Sequence, residues 1–243
     1  MLRLFRHIRK SLMEQKKIRT YILYAIGEIL LVVIGILIAL QINNWNEDRK
    51  EAIVSDNLKS AFLSDLNADL VLIDSTLSNV NERITIFENL KARYTASDVT
   101  ESEIVSMIKN EYDPFIIRFI GFNDNTFRSS SASGTIALIE ESEREQVFSY
   151  YVKQNDVTSL LQLYEEQYAE AISYLNENFP SNLPFIAFSE GPVYEQKWSN
   201  PDFDELTSRF NNVGTAQRNL FRLQQTYLTN IRSEAELLID RLE

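Results

Sequence analysis

The stretch Tyr21–Ile42 reads YILYAIGEILLVVIGILIALQI, and it decides how the rest of the chain is arranged. Apart from Glu28 and Gln41 it is apolar throughout. At a rise of about 1.5 Å per residue, a helix over this stretch is roughly 33 Å long, which matches the hydrocarbon thickness of a bilayer. The stretch therefore predicts a helix that crosses a membrane once.

The charges on either side of this stretch predict its orientation. Residues 1–20 contain seven Lys and Arg and one Glu, whereas residues 43–243 contain 17 Lys and Arg against 33 Asp and Glu. Basic residues beside a span stay on the cytoplasmic side, so we expect a cytoplasmic N-terminus and an exported C-terminal part. A cleaved signal peptide is the alternative, but residues 38–41 (IALQ) do not form a cleavage site of the Ala-x-Ala kind. We therefore expect an uncleaved anchor.

This division predicts three segments: residues 1–20 as a basic cytoplasmic arm, residues 21–42 as the transmembrane helix, and residues 43–243 as one exported domain. The chain has no cysteine, which excludes disulfides and thiol chemistry. The acidic balance of the domain argues against nucleic acid as a partner, because phosphate binding depends on clustered Lys and Arg. The predicted partner of the span is membrane lipid.

Beyond the span, three stripes of apolar residues recur at helical spacing. No Gly or Pro occurs between Ile42 and Pro114, so the first stripe continues the membrane helix to about Tyr94. The other two stripes predict helices of about 38 residues each. The stripes consist of Leu66, Leu70, Ile73, Leu77, Val80, Ile84 and Phe87; Val147, Tyr150, Val157, Leu161, Tyr164, Tyr168, Ile172 and Leu175; and Leu206, Phe210, Val213, Leu220, Tyr227, Ile231, Leu238 and Leu242.

The predicted fold class is all-α: a single N-terminal transmembrane helix that continues into an elongated antiparallel helical bundle of three long helices plus short helices. In this arrangement the helix over residues 140–178 runs back toward the membrane, provided that residues 95–135 stay at the far end. The connection over residues 180–201 then lies nearer the bilayer, and the C-terminus lies far from it.

Shorter elements are predicted between the stripes. Thr100 and Glu103 form a capping box for a short helix near residues 101–110. Asp124 is suited to begin a small helix over residues 125–133, and Gly134 to end it. Two Pro- and Phe-rich connections, Pro114–Phe119 and Pro184–Phe188, are either short strands or hydrophobic loops packed on the bundle.

No pattern in the exported part indicates a chemistry. It contains neither His nor Cys, which excludes the usual nucleophile–base pairs and the common zinc and di-iron sites. No glycine motif for nucleotide binding is present. We expect no enzymatic activity, no cofactor and no metal site. Three glutamines at stripe positions, Gln154, Gln217 and Gln224, are interpreted as buried polar layers that fix helix register.

Glu28 is the residue of the span that calls for an explanation, because an ionisable group in hydrocarbon is costly. By helical rotation Glu28, Gly35 and Ala39 share one face, and Gly35 and Ala39 have the spacing that lets two helices approach closely. This face predicts contact with a second copy of the chain or with another membrane protein. The alternative is an isolated helix whose glutamate is protonated or reaches the inner headgroups.

Two segments resemble an uncharacterised membrane-protein family of Bacteroidota, domain of unknown function 6090. Residues 24–47, YAIGEILLVVIGILIALQINNWNE, are similar to its anchor, which includes Glu28 and Trp45. Within Asn123–Tyr151, the run DNTFR at residues 124–128, Ser133-Gly134, Arg144 and Tyr150-Tyr151 are similar to a second family segment. Here residues 130–132 (SSA) replace a more apolar run. The resemblance implies a Gram-negative inner membrane and a periplasmic domain, and it implies no activity.

The leading functional hypothesis is a membrane-anchored periplasmic helical module that binds or scaffolds another envelope component. Its support is the long helix, the lack of catalytic residue patterns and the face formed by Glu28, Gly35 and Ala39. The alternative is a sensory input domain that binds a small ligand between bundle helices.

Overall fold

The computed structural model describes residues 18–180 and 190–243, and all regular structure in these residues is helical. This confirms the predicted all-α fold class. The chain divides after Asp56 into two units. The first unit contains the apolar stretch, and the second, residues 57–243, contains the buried cores.

Helix α1 extends from Ile18 to Tyr94 without interruption, as the absence of Gly and Pro between Ile42 and Pro114 predicted. Lys91 and Arg93 lie in its last turn, where their positive charge favours the helix C-terminus. The polar turn at residues 95–98 ends it at the predicted residue. Residues 1–17 of the predicted basic arm (residues 1–20) lie outside the described residues, and its last three residues belong to α1.

In the first unit, every side chain of α1 over residues 29–42 is exposed, on all sides of the helix. The exposed fractions of the large apolar side chains in this stretch range from 44% at Val33 to 68% at Leu31. Among the described residues, α1 is one helix that is long and apolar enough to cross a membrane. A helix that is apolar all round and uncovered by protein matches the pattern of a membrane span.

The second unit adds two long helices and three short ones to the distal part of α1. These helices of the described chain are α2 (Glu101–Ser106), α3 (Asn125–Ser133), α4 (Glu141–Asn178), α5 (Pro192–Ser199) and α6 (Phe203–Leu242). The buried side chains of α4, with 38 residues, and of α6, with 40, include most of the two predicted stripes. A single π-helical turn, Met107–Glu111, follows α2, and a 3₁₀ turn, Thr135–Leu138, follows α3.

Two hydrophobic clusters form the core of this unit, one at each end. The cluster that includes Phe62 and Leu66 joins α1 to the first half of α4 and the last half of α6. The cluster that includes Val80 joins α1 to the last half of α4 and the first half of α6. All three long helices therefore contribute to both clusters. Of the predicted stripe of α1, Leu66, Ile73 and Val80 are buried, and the remaining members are half-buried: Leu70, Leu77, Ile84 and Phe87.

The direction of α4 differs from the prediction. Lys59 of α1 pairs with Glu143 of α4 at 2.6 Å, and Asp69 pairs with Gln154 at 3.0 Å, so the two helices are parallel. α6 is antiparallel to both, as its pairings Arg232–Asp74 with α1 and Lys153–Glu234 with α4 show. The prediction that α4 runs back was wrong because residues 95–135 do not stay at one end of the unit.

These residues return along the bundle as an extended segment, residues 112–124, which we call the strap. Its first residue, Tyr112, hydrogen bonds to Tyr168 at 2.9 Å in one core cluster, and Asn123 reaches Asp69 at the other. Tyr112, Pro114, Ile117 and Phe119 are buried along its length. The strap contains the Pro114–Phe119 connection, which is a packed loop and not a strand.

The short elements agree with the sequence with one exception. The capping box of Thr100 and Glu103 is present. α3 begins after Asp124 and ends at Gly134, whose φ of 77° is left-handed as expected of a C-terminal glycine. The Asp124 side chain makes no capping hydrogen bond and lies instead 3.6 Å from Arg128. The second connection, Pro184–Phe188, lies outside the described residues.

Candidate functional site

A buried carboxylate fastens the end of the strap to α1. Asp69 is fully buried, and its Oδ1 accepts hydrogen bonds from the backbone N–H and the side-chain Nδ2 of Asn123, both at 2.8 Å. Its Oδ2 accepts a third from Nε2 of Gln154, at 3.0 Å. We call Asp69, Asn123 and Gln154 the clasp. It joins α1, the strap and α4 at one point.

The surroundings of the clasp raise the pKa of Asp69. Burial raises the pKa of Asp69 to about 6, against the lowering effect of the Asn123 hydrogen bonds. The nearby Asp65 carboxylate raises it further. Burial also raises the pKa values of the Tyr150 and Tyr151 hydroxyls on α4, so both stay neutral. Within residues 18–180 and 190–243, hydrogen bonds from Asn123 and Gln154, and no cation, stabilise the charged form of Asp69.

A second carboxylate of α1 holds α3 beside the clasp. Oδ2 of Asp65 accepts a hydrogen bond from the backbone N–H of Thr126 at 3.3 Å, in the first turn of α3. This contact takes the place of the cap that Asp124 was expected to provide. The next residue, Phe127, stacks on Tyr151 with ring centroids 4.4 Å apart and planes 8° from parallel. The segment Asn123–Phe127 is thus fixed between α1 and α4.

Side chains of α4 and α6 hydrogen bond to the rest of the strap, two of them to its backbone. Nε2 of Gln224 donates to the Ile117 carbonyl at 2.7 Å, and a Glu165 oxygen accepts from the Phe119 N–H at 2.8 Å. The Tyr112 hydroxyl donates to Oε1 of Gln217 at 3.2 Å. An extended segment without a partner strand needs such contacts, because unpaired buried backbone groups are costly.

The buried glutamines therefore have a clear structural role. Gln154, Gln217 and Gln224 lie in the core as predicted, and each bonds either to the strap or to the carboxylate that holds it. The sequence patterns did not single out Asp69 or Asn123 as functional residues. A signal for Asp69 was present, since it lies three residues after Leu66 and four before Ile73, which places an acid within the apolar stripe.

The clasp holds the fold together and has no access to a substrate, because Asp69 has no exposed surface. Among residues 18–180 and 190–243, no group of three or more His, Cys, Asp or Glu is arranged to bind a metal ion. The chemistry available at this position is limited to hydrogen bonding and to the protonation of one carboxyl group.

The predicted helix-contact face of the span lies in the first unit. Glu28 is half-buried, while Gly35 and Ala39 are exposed. A Cβ built on Gly35 meets no atom within 4 Å, so this position offers open space to an approaching helix. The continuous helix places Glu28, Gly35 and Ala39 within 60° of one another around its axis, by a rotation of about 100° per residue. Contact through this face stays a prediction.

A shallow groove in the second unit lies between the end of α1 and α6. Its volume is about 240 Å³. Phe87, Leu90, Tyr94 and Phe210 supply apolar surface, and Gly214 leaves room for it because its position carries no side chain. Lys91 and Arg218 are the charged residues among those that line the groove.

A comparison with known families identifies the segment that contains both the span and the clasp. The sequence model of a family of unknown function, DUF6090, matches residues 28–174, more than half of the chain. The chain belongs to this family. The match confirms the resemblance seen in the anchor and in the Asn123–Tyr151 segment. No curated protein and no solved structure matches the chain.

The boundaries of the DUF6090 match separate parts of the molecule. They enclose Glu28, Gly35 and Ala39, all three clasp residues, and the strap. They leave out α5 and α6, which complete both hydrophobic clusters. The family segment of this chain therefore holds the span and the clasp, and relies on a later helix to cover its core.

Proposed function

We propose that this DUF6090 protein is a helical module anchored in the inner membrane of a Gram-negative bacterium. Its N-terminal arm lies in the cytoplasm, and its helical unit lies in the periplasm, where it binds or scaffolds another envelope component. The observation that carries the proposal is the run of exposed large apolar side chains at residues 22–42.

The size of this apolar surface supports the anchor. Moving one large apolar side chain out of water is worth about 1.5–3 kcal/mol. The large apolar residues exposed in this run are Ile22, Leu23, Ile26, Ile29, Leu30, Leu31, Val32, Val33, Ile34, Ile36, Leu37, Ile38, Leu40 and Ile42. Together they favour transfer into lipid by far more than one buried Glu28 opposes, since a central acid costs about 2.5–3.5 kcal/mol on insertion scales.

Cysteine labelling tests the topology. The chain has no cysteine, so Ser11→Cys and Glu243→Cys each provide a single reactive site. We expect a membrane-impermeant maleimide to label Glu243→Cys in intact spheroplasts, and Ser11→Cys only after the membrane is permeabilised. Labelling in the reverse order would contradict the orientation, and extraction of the protein by alkaline carbonate would contradict the anchor.

The binding role is supported by two features of the second unit: its buried polar residues hold its fold, and its charged residues are mostly acidic. Its buried carboxylate and glutamines support the strap, and its surface is acidic, with 29 Asp and Glu against 15 Lys and Arg in residues 57–243. We expect affinity purification from cross-linked membranes to recover a defined envelope protein with the full-length chain. Recovery of bulk membrane proteins alone would count against scaffolding.

The span contributes to association through the face of Glu28, Gly35 and Ala39. Close approach at Gly35 brings Glu28 within reach of a neighbouring helix, and such interhelical hydrogen bonds average about 0.6 kcal/mol. We expect Gly35→Ile to abolish cross-linking between cysteines placed along residues 28–39. Val33→Ile adds bulk about 160° away and should leave cross-linking unchanged. Cross-linking without helical periodicity would show that the face contacts lipid.

The alternative function is a sensory domain that binds a small ligand between bundle helices. Ligand pockets usually have volumes of about 300–1,000 Å³. The groove between α1 and α6, at about 240 Å³, falls below this range. Two other depressions, one between α4 and α6 and one between the strap and α4, measure about 610 Å³ each and fall within it. A thermal-shift screen of the full-length protein in detergent against metabolites tests this alternative. A ligand that raises the unfolding temperature of the second unit by several degrees would favour it over scaffolding.

A further inference from the structure

We propose that the groove between α1 and α6 receives a single apolar anchor side chain from an acidic segment of the partner protein. This inference rests on the proposed binding function and names the surface that carries it. Its basis is the combination of an aromatic floor, a small volume and a basic rim within an acidic unit.

The floor of the groove is formed by side chains that pack against one another. Phe210 is 7% exposed, and its ring centroid lies 5.4 Å from that of Tyr94, at an angle of 49°. Phe87 and Leu90 are half-buried on the last turns of α1. A Cβ on Gly214 would lie 3.7 Å from the Phe87 ring, so any larger side chain there would occupy the groove. The floor is thus preformed and apolar.

The volume of the groove suits one side chain and not a whole small molecule. At about 240 Å³ it falls below the usual range of ligand pockets, about 300–1,000 Å³. Protein interfaces, in contrast, concentrate their binding energy in a few anchors that fill small apolar pockets. The occupant that fits is an aromatic or large aliphatic side chain presented by a protein segment.

The charge of the rim defines the chemistry of that segment. Arg218 is exposed and forms no ion pair within the described residues, and the same holds for Arg222 one turn further along α6. Lys91 pairs with Glu88 at 2.8 Å, but both side chains are more than two-fifths exposed, so this pair is weak and easily exchanged. Arg218 and Lys91 therefore offer cationic partners to carboxylates that flank the anchor.

The basic lining of the groove contrasts with the acidic remainder of the second unit. Residues 57–243 carry about twice as many acidic as basic side chains, so most of the unit repels an acidic partner. A groove whose charged lining is only basic provides the contrast that steers an acidic segment to one place. A second copy of this chain is a poorer fit, because its acidic surface would have to approach the rest of the unit as well.

Site-specific photocross-linking in native membranes tests the proposal on the full-length chain. Thr215, which lines the groove, is replaced by p-benzoylphenylalanine, and the cross-linked segment is sequenced by mass spectrometry. We expect one protein, joined through a segment with an aromatic or large aliphatic residue flanked by Asp or Glu. The same photoreactive residue at Thr229, exposed on α6 and about 21 Å along the helix, should not yield this product.

Two substitutions connect the product to the groove. Arg218→Glu should reduce the yield of the cross-linked product roughly tenfold or more, because it reverses the charge of the rim. Gly214→Leu should reduce the yield by a similar factor, because its side chain fills the groove. Arg218→Lys should retain the product, and Arg241→Glu at the far end of α6 is the matched charge control. Circular dichroism verifies that each variant is folded. If Gly214→Leu is not folded, the result for Arg218→Glu alone decides the test.

Several outcomes would overturn the inference: no cross-link at Thr215, cross-links to lipid, cross-links to a second copy, a basic partner segment, or a product unaffected by Arg218→Glu. Failure of this inference about the groove can be distinguished from failure of the proposed scaffolding function. If Arg218→Glu still recovers the same partner in affinity purification, the scaffolding role stands and the partner binds elsewhere.

Discussion

Two stretches of α1 are rich in apolar residues but differ in what surrounds them. Residues 29–42 are apolar around the whole helix and exposed, whereas residues 62–80 are apolar along one stripe whose members are buried or half-buried. Leu37 and Leu66 illustrate the contrast, with exposed fractions of 58% and 0%. The same residue type on the same helix thus belongs to two different environments.

The distribution of apolar residues around the helix explains the difference. A one-sided stripe can be covered by two neighbouring helices, as α4 and α6 cover residues 62–80. An apolar surface on all sides needs an apolar medium. The comparison predicts that changes in residues 62–80 and their contacts alter the stability of the second unit, and that changes in residues 22–42 do not.

The largest expected effect comes from removing core volume. Leu66→Ala should lower the free energy of unfolding of the second unit by about 2–5 kcal/mol, because it leaves a cavity among fully buried side chains. Leu37→Ala should change it by less than about 0.5 kcal/mol. Urea unfolding in detergent, followed by the fluorescence of the buried Trp198 in a Trp45→Phe background, measures both. Equal effects of the two substitutions would refute the division.

Breaking the clasp should have the next largest effect. Asp69→Ala leaves the two Asn123 donors and the Gln154 donor without their acceptor. Each buried unsatisfied group costs about 1–3 kcal/mol, and Asn123 is only half-buried, so we expect a loss at the lower end for three donors, about 3 kcal/mol.

Asp74→Ala, five residues further along α1, is the matched control. It removes an exposed ion pair with Arg232 and should cost less than about 1 kcal/mol. Hydrogen exchange should also show faster exchange of the strap amides in Asp69→Ala than in Asp74→Ala. Identical exchange in the two variants would mean that Asp69 does not hold the strap.

The pH dependence of stability is the third test. The pKa of Asp69 is raised from 3.8 to about 6 in the folded protein, so the folded state binds this proton more tightly than the unfolded state. The protonated Asp69 carboxyl increases the free energy of unfolding. This stabilising contribution is fully present below about pH 4 and is lost as pH rises through about 6. The total change is up to about 3 kcal/mol.

Asp69→Asn isolates this contribution from that of other carboxylates. Glu103 and Glu111 have lowered pKa values and oppose the trend, so the difference between wild type and variant is the informative quantity. We expect wild type to gain stability relative to Asp69→Asn as pH falls from 7 to 5. Parallel pH profiles would show that Asp69 titrates normally.

The smallest effect concerns two glycines. Gly121 lies in the strap with a φ of 92°, a region that other residues rarely adopt, and nothing lies within 4 Å of a Cβ placed there. Gly121→Ala should therefore cost about 1–2 kcal/mol through backbone strain alone. Gly35→Ala in the helical span should leave the unfolding of the second unit unchanged. An unaffected Gly121→Ala protein would show that the strap can adjust its backbone.

The sequence predicted the helices well because their patterns are local. The end of α1 at Tyr94, the Thr100–Glu103 capping box and Gly134 as the end of α3 all follow from residues within a few positions of one another. The three apolar stripes were correct for the same reason, since period and side-chain type suffice to place a buried face.

The direction of α4 and the clasp could not be predicted in the same way. Antiparallel packing of consecutive long helices assumes a short connection, and the strap violates that assumption by crossing the unit before α4 begins. The contact between Asp69 and Asn123 joins residues 54 positions apart, and neither residue forms a motif by itself. Asp65 as the cap of α3 is likewise invisible in the local pattern around Asp124.

The strap also sets an order for folding. Its Ile117 carbonyl bonds to Gln224, 107 residues later in the chain, so this contact cannot form until most of α6 has been synthesised. Until then a Pro- and Phe-rich segment between α2 and α3 has only part of its final cover. Contacts between distant residues are entropically costly and form slowly. We expect the strap to be the last part of the second unit to become protected, and the part on which a chaperone would act longest.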